Sequence, residues 1–244
     1  MKTFRADLHV HSCLSPCADI DVSPRTLARR AKKLGLDMLA LTDHNSCLNG
    51  QAHKECCEEF GLVPIFGMEL TTTEEVDMLC LFETLEAAQD FEQLVLQTFP
   101  RYPVDETFWN PEYIVNSQEE ILGELDYLLT TASGLDLTTG LREVHARGGI
   151  GIPAHIDRDH NSLFSQLGFI PSDPFDGVEI TLHHDKSQAK IPNKHLPTVA
   201  NSDCHIIYDL GQRHTEFVAQ ECSFMAFVNA LRNGEVVPRW GFPE

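Results

Sequence analysis

Thr3-Phe4-Arg5-Ala6-Asp7-Leu8-His9-Val10-His11, then Ser23-Pro24, Gly35 and Asp37-Met38-Leu39-Ala40-Leu41-Thr42, set the architecture of this chain. Residues 3–11 read as a strand. Ser23 followed by Pro24 is an N-cap with proline at the first helical position, opening a helix that runs to Leu34 and stops at Gly35. Residues 37–42 are a short apolar run of the kind that forms a buried strand. The same order repeats with a helix over about 49–60, Gly61 as its stop, and a strand over 63–69. Strand and helix in alternation predict an α/β fold.

Further along, residues 77–82 (DMLCLF) read as a strand and residues 84–99 as an amphipathic helix with acidic residues at its positive end. The regular pattern then lapses. Residues 101–136 hold Pro103 and Pro111, and the runs 113–116 and 121–122 around Ser117-Gln118-Glu119-Glu120 predict a small β-hairpin inserted between barrel units, as lid, interface or ornament. A helix over 137–147, a stop at Gly148-Gly149, a strand over 150–155, strands over 177–182 and 197–201, and a last helix over 223–232 complete the pattern.

At 244 residues with 42% hydrophobic content, the chain fits one α/β barrel, and residues 1–244 are expected to form a single domain. The net charge of −19 argues against contact with long nucleic acid and with anionic membranes. A small anionic substrate stays compatible, because bound divalent ions reverse local charge. Six residues before Asp7 are too few for a signal peptide, and no apolar run spans a bilayer, so a cytoplasmic protein is expected. The 8 cysteines lack paired CxxC motifs and read as reduced thiols acting as small buried hydrophobes. Nothing in the pattern speaks to oligomeric state.

Chemistry concentrates where strands end. His9 and His11, one residue apart, face the same way on a strand, close enough to meet one metal ion. Thr42-Asp43-His44, Glu69, Pro153-Ala154-His155 and Asp203-Cys204-His205 offer further ligand chemistry at the same rim. Carboxyl ends of successive parallel strands surround one mouth of a barrel, so residues far apart in sequence can assemble there. Asp7 and Asp43 read either as partners of the ligand imidazoles or as strand-end caps. Arg158 reads as a clamp for a substrate phosphate or as a surface ion pair. His183-His184 are possible site lining, whereas His53, His145, His160, His195 and His214 read as helix-surface or loop residues.

These motifs, in this order, resemble the polymerase and histidinol phosphatase (PHP) superfamily of metal-dependent phosphoesterases. Asp7-Leu8-His9-Val10-His11-Ser12 is similar to its first motif, Leu41-Thr42-Asp43-His44-Asn45 to its second, and Gly67-Met68-Glu69 to its bridging-carboxylate region. Pro153-Ala154-His155 and Ser202-Asp203-Cys204-His205 resemble the later ones. The resemblance implies a distorted (β/α)7 barrel with two or three divalent metal ions, Mn, Fe or Zn. His9, His11, Glu69 and Asp203 would hold one metal, Glu69 and His155 a second, and His44 and His205 a third. Two positions depart from the family pattern. After the HxH pair no histidine follows, so Asp19 is favoured as the remaining ligand, with Cys17 as the alternative. Asp77 stands where many relatives have a histidine completing the second position.

The implied function is hydrolysis of a small phosphate ester, a nucleotide, short oligonucleotide or metabolite, by metal-activated water. Two alternatives are a PHP-like module that binds metal or a phosphorylated ligand without turnover, and an amidohydrolase-like enzyme.

Overall fold

Ser23 and Gly35 do what their chemistry dictates. In a computed structural model that describes residues 1–182 and 196–241, the Ser23 side chain accepts from the Thr26 N–H and opens helix α1 (Pro24–Leu34). Gly35 closes it in the left-handed conformation at φ 77°. Strand β1 (Lys2–Asp7) precedes this helix and β2 (Met38–Leu41) follows; α2 (Gly50–Phe60) and β3 (Val63–Thr71) repeat the unit. β1, β2 and β3 are mutually parallel.

β4 (Asp77–Phe82) breaks the expected parallel order, pairing antiparallel with β3. Only residues 72–76 separate these strands, and a parallel return needs a dozen or more residues. Asp77 therefore opens β4 beside Thr71, which ends β3, so the amino end of β4 faces the same mouth as the carboxyl ends of the others. α3 (Leu85–Thr98), a hairpin of β5 (Tyr113–Val115) and β6 (Ile121–Glu124), α4 (Leu137–Ala146) and β7 (Ile150–Pro153) follow. β7 pairs antiparallel with β4 and so returns to the direction of β3.

The remaining strands close the ring. β8 (Val178–Glu179) and β9 (Thr198–Val199) form a parallel pair. The Ile156 N–H donates to the Glu179 carbonyl (2.9 Å), joining the end of β7 to β8. Beyond β9, the Asp203 N–H donates to the His9 carbonyl (2.8 Å) and the His11 N–H to the Cys204 carbonyl (3.0 Å). The result is a distorted α/β barrel of the predicted class. Strands β10 (Arg213–Ala219) and β11 (Val236–Trp240), which the sequence reading omits, extend the sheet outward from β1.

Alternation decides what each strand covers. Met38, Ala40, Ile65, Leu79, Leu81 and Ile152 share one buried cluster with Phe227 and Leu231 of the final helix, Phe224–Arg232. The intervening Met78, Cys80 and Phe82 pack with Phe91 of α3 and Leu141 of α4. The hairpin is tied to the barrel by Asn49, whose side-chain amide donates to the Tyr113 carbonyl (3.1 Å) and accepts from the Val115 N–H (2.9 Å). That use explains why Asn49 makes no cap bond to its own helix. The cysteines are unpaired and mostly buried, as expected. His53 corrects the surface reading: it is fully buried, its Nε2 against the Leu39 carbonyl (3.0 Å). His214 is buried too. His183, His184 and His195 lie outside the described residues.

Candidate metal centre

β1 ends at Asp7, and the chain continues with His9 and His11 buried at the barrel mouth, Nε2 to Nε2 3.1 Å. Both nitrogens converge on two carboxylates. His9 Nε2 is 3.2 Å from Glu69 Oε1 and 3.2 Å from Asp203 Oδ1; His11 Nε2 is 3.3 Å from Glu69 Oε2 and 3.3 Å from Asp203 Oδ1. His155 Nε2 shares Glu69 Oε1 with His9 (3.0 Å), and Asp77 Oδ2 lies 3.8 Å from it. His44 Nδ1 approaches Glu69 Oε2 (3.2 Å), and the His11 ring stacks on that of His205 with centroids 4.2 Å apart.

Among the described residues three groups of possible ligands result, each with its ligand atoms within 4.8 Å of one another: His9, His11, Glu69 and Asp203; Glu69, Asp77 and His155; His11, His44 and His205. Glu69 sits centrally. His155 and Asp203 are held at φ 30° and 52°, left-handed values uncommon for residues other than glycine. Such conformations cost about 1–3 kcal/mol and persist where surrounding structure over-determines them, typically at functional sites.

The electrostatics suit cations. Burial alone lowers a histidine pKa, yet the carboxylates of Glu179, Glu69 and Asp203 outweigh it and hold His9 well above its ordinary range. His11 is likewise carried to about 9 against its burial, by its hydrogen bonds to the Asp203 and Glu69 carboxylates. The same imidazoles hold Glu69 and Asp203 well below theirs, despite burial. Burial, then the charge of Glu69, pushes Asp77 up to about 7. Without metal the carboxylates draw protons onto His9 and His11. Divalent ions would supply that positive charge instead, and the mixed imidazole–carboxylate donor set suits them. Asp203 Oδ1 and His44 Nδ1, both buried and aimed into the cluster, lack a well-formed hydrogen bond, as atoms reserved for an ion would.

The positions beyond the converging residues fall out differently. Asp19 stands exposed, its backbone N–H on the His205 carbonyl (2.9 Å), and joins none of the three groups. Cys17, the alternative, lines the cavity with His44 and His205. Asp7 is a cap, accepting from the N–H groups of Ser202 (3.0 Å) and Gly211 (3.0 Å). Asp43 reaches no imidazole directly; it accepts from Ser15 Oγ (2.8 Å), which in turn lies 3.0 Å from His11 Nδ1. The direct partner is one that sequence reasoning missed. Glu179, fully buried, meets His9 Nδ1 (2.9 Å), the His155 N–H (2.9 Å) and the Asn201 side-chain amide (2.8 Å). An acid buried between Val178 and Ile180 in an apolar run was the available signal.

Glu69, Asp77, His155, Asp203 and Arg158 border a cavity of about 440 Å³, with Trp109 and Leu128 of the irregular stretch 101–136 on its wall. Arg158 pairs with Asp203 Oδ2 and also lines an adjoining polar cleft with Arg213. A barrel mouth carrying such a histidine–carboxylate cluster defines a metal-dependent hydrolase class.

The chain belongs to the PHP domain family, whose model matches residues 7–147; a PHP-associated model matches residues 182–236. An uncharacterised protein of Methanocaldococcus jannaschii is 30% identical over 120 residues, covering 41% of this chain and 70% of that one. Among solved structures, a lesion-specific endonuclease from Pyrococcus furiosus has the same fold, with a TM-score of 0.70 at 19% identity over 95% of this chain. This chain spans 56% of that endonuclease. An amidohydrolase from Chromobacterium violaceum, solved with sulfate, aligns at TM-score 0.58 and 18% identity over 95% of this chain and 97% of that one.

The endonuclease fold corrects one expectation. Endonuclease Q was solved with a 27-mer duplex carrying an abasic lesion at its active site, so long nucleic acid cannot be set aside for this fold. The expectation took the charge of the whole chain for the charge of the face that meets substrate. At that face Arg158 and Arg213 stand beside groups able to bind divalent cations.

Proposed function

We propose that this chain is a metal-dependent phosphoesterase hydrolysing a phosphate ester of a nucleotide or of a nucleic-acid strand. One observation carries the reading: Glu69 contacts His9, His11, His44 and His155 at 3.0–3.3 Å on the floor of a cavity that Arg158 also lines. His9, His11, Glu69 and Asp203 would hold one ion, Glu69, Asp77 and His155 a second, and His11, His44 and His205 border a third position that Cys17 faces. Ions so held would supply Lewis acidity and activate water at neutral pH.

The chain's own residues do the rest. Glu179 fixes the His9 tautomer by accepting a hydrogen bond from its Nδ1–H, leaving Nε2 free to ligate. Arg158, on the cavity wall, would offer a planar pair of donors to the phosphate oxygens. His205, whose burial and proximity to His11 keep it neutral with a pKa near 4, stays available as a ligand.

The test loads the protein with Mn²⁺, Fe²⁺ or Zn²⁺ and assays an aryl phosphate monoester, an aryl phosphodiester, a nucleotide, and a duplex with an abasic site. Turnover that falls at least a hundredfold in His44→Ala and Glu69→Gln supports the reading. Tight metal binding without turnover on any substrate favours the binding module, and amide hydrolysis alone redirects it to the amidohydrolase class.

A further inference from the structure

The insertion brings to the mouth a side chain the metal chemistry does not need. Trp109 is half-buried and lines the same cavity as Glu69 and Arg158, together with Leu128 from the same insertion. Its placement is built. Phe108 and Trp109 donate their backbone N–H groups to the Asp105 carbonyl (3.0 and 3.1 Å), closing a turn. The next residue, Asn110, fastens that turn to the barrel: its backbone N–H donates to the Pro16 carbonyl (3.1 Å) and its side-chain amide to the Ala18 carbonyl (2.9 Å). These anchors flank Cys17, so the indole is held beside the metal-facing loop. Among the described residues no aromatic ring stacks on it and no acceptor takes its Nε1–H. The part of the indole that borders the cavity is therefore open to a ligand that can stack on it.

The cavity is thus two-sided. Its floor is imidazole, carboxylate and Arg158, suited to a phosphate; its insertion-side wall is aromatic and aliphatic, suited to a flat apolar body. A volume of about 440 Å³ lies within the range of small-ligand sites. We infer that Trp109 is a specificity-determining residue on which the base of a nucleotide stacks while its phosphate lies over the carboxylate–histidine floor. This rests on the phosphoesterase reading for the position of the phosphate, and adds what is attached to it.

Adenosine monophosphate and ribose 5-phosphate differ only in the base and test the inference directly. The full chain, metal-loaded, is titrated with each, and turnover is measured in parallel for the parent, Trp109→Ala and Trp109→Phe. Base–aromatic stacking predicts that Trp109→Ala lowers the preference for the nucleotide roughly 10- to 100-fold, mostly in Kd or KM, with metal content unchanged. Trp109→Phe should retain most of the preference, and quenching of tryptophan fluorescence by the nucleotide should vanish in Trp109→Ala. The inference is overturned if the parent binds both ligands equally, or if the Ala variant leaves their ratio unchanged. Selective binding without hydrolysis would sink the phosphoesterase reading while leaving Trp109 in its role.

Discussion

Glu179 allows a sharp test of how the centre is held. It accepts three buried hydrogen bonds, from His9 Nδ1, the His155 N–H and the Asn201 amide. Glu179→Ala would strand all three donors at about 1–3 kcal/mol each, enough to threaten folding. Glu179→Gln is the better probe, because one oxygen can still receive His9 and His155. It removes the charge that holds His9 ready as a ligand, and it sets an amide against Asn201, whose own oxygen is occupied by the Leu8 N–H (2.9 Å). Loss of such a partner typically weakens metal affinity 10- to 100-fold, or about 1.4–2.7 kcal/mol. Chelator competition measures this, with circular dichroism confirming the fold. Activity should return as metal is raised, since no group contacting the phosphate has changed. A folded Glu179→Gln protein that binds every metal within twofold of the parent would refute the reasoning.

Other expectations follow from separate parts of the molecule. Glu112 is buried with Oε2 unpartnered, and burial carries its pKa to about 8 against 4.5 for the unfolded chain. A raised carboxyl contributes stability in full below pH 4.5 and loses it as pH rises toward 8. Glu112→Gln should therefore gain on the parent over that window, by at most about 1.4 kcal/mol per pH unit in denaturant titrations; a constant difference would count against it. Asn45, buried at φ 50°, donates to the Leu129 and Thr131 carbonyls (2.7 and 3.0 Å) and accepts from Thr71 N–H (3.0 Å). Asn45→Gly relieves the backbone while removing these bonds, so it should cost about 2–5 kcal/mol and speed proteolysis within residues 101–136. Gly67→Ala would place a Cβ 2.0 Å from the Cys80 carbonyl oxygen, forcing β3 from β4. A loss above about 3 kcal/mol is expected, read as a fall in Tm of well over 5 °C.

Much of the centre was legible because ligand chemistry is rare and strand ends are easy to mark. His9, His11, Glu69, His155 and Asp203 lie together as the strand-end argument requires. Strand direction was less legible: residues 77–82 look the same forward or reversed, and only the brevity of 72–76 betrays a hairpin. Glu179 was hidden because a two-residue strand flanked by apolar neighbours reads as core. Asp7 and Asp43 were half-read; both bind near the ligands, but through backbone N–H groups and serine hydroxyls, which sequence adjacency cannot reveal. Asp19 followed from counting back from Pro24, a one-dimensional measure in a loop where the backbone turns Cys17 toward the cavity instead. The irregular stretch 101–136 gave its hairpin away by alternation, while the placement of Trp109 depends on Asn110 meeting carbonyls some ninety residues earlier.

Asp7 joins the first strand to Ser202 and Gly211, across separations of 195 and 204 residues. Along the chain His9 and His11 are synthesised well before their companions Asp203 and His205, from which nearly two hundred residues separate them. Contacts of such long range are slow to form, because closure entropy must be spent before they return anything. The nascent chain thus carries an HxH pair able to scavenge ions in the wrong company. Assembly of the full ligand set waits on the docking of residues 201–205 onto the end of β1.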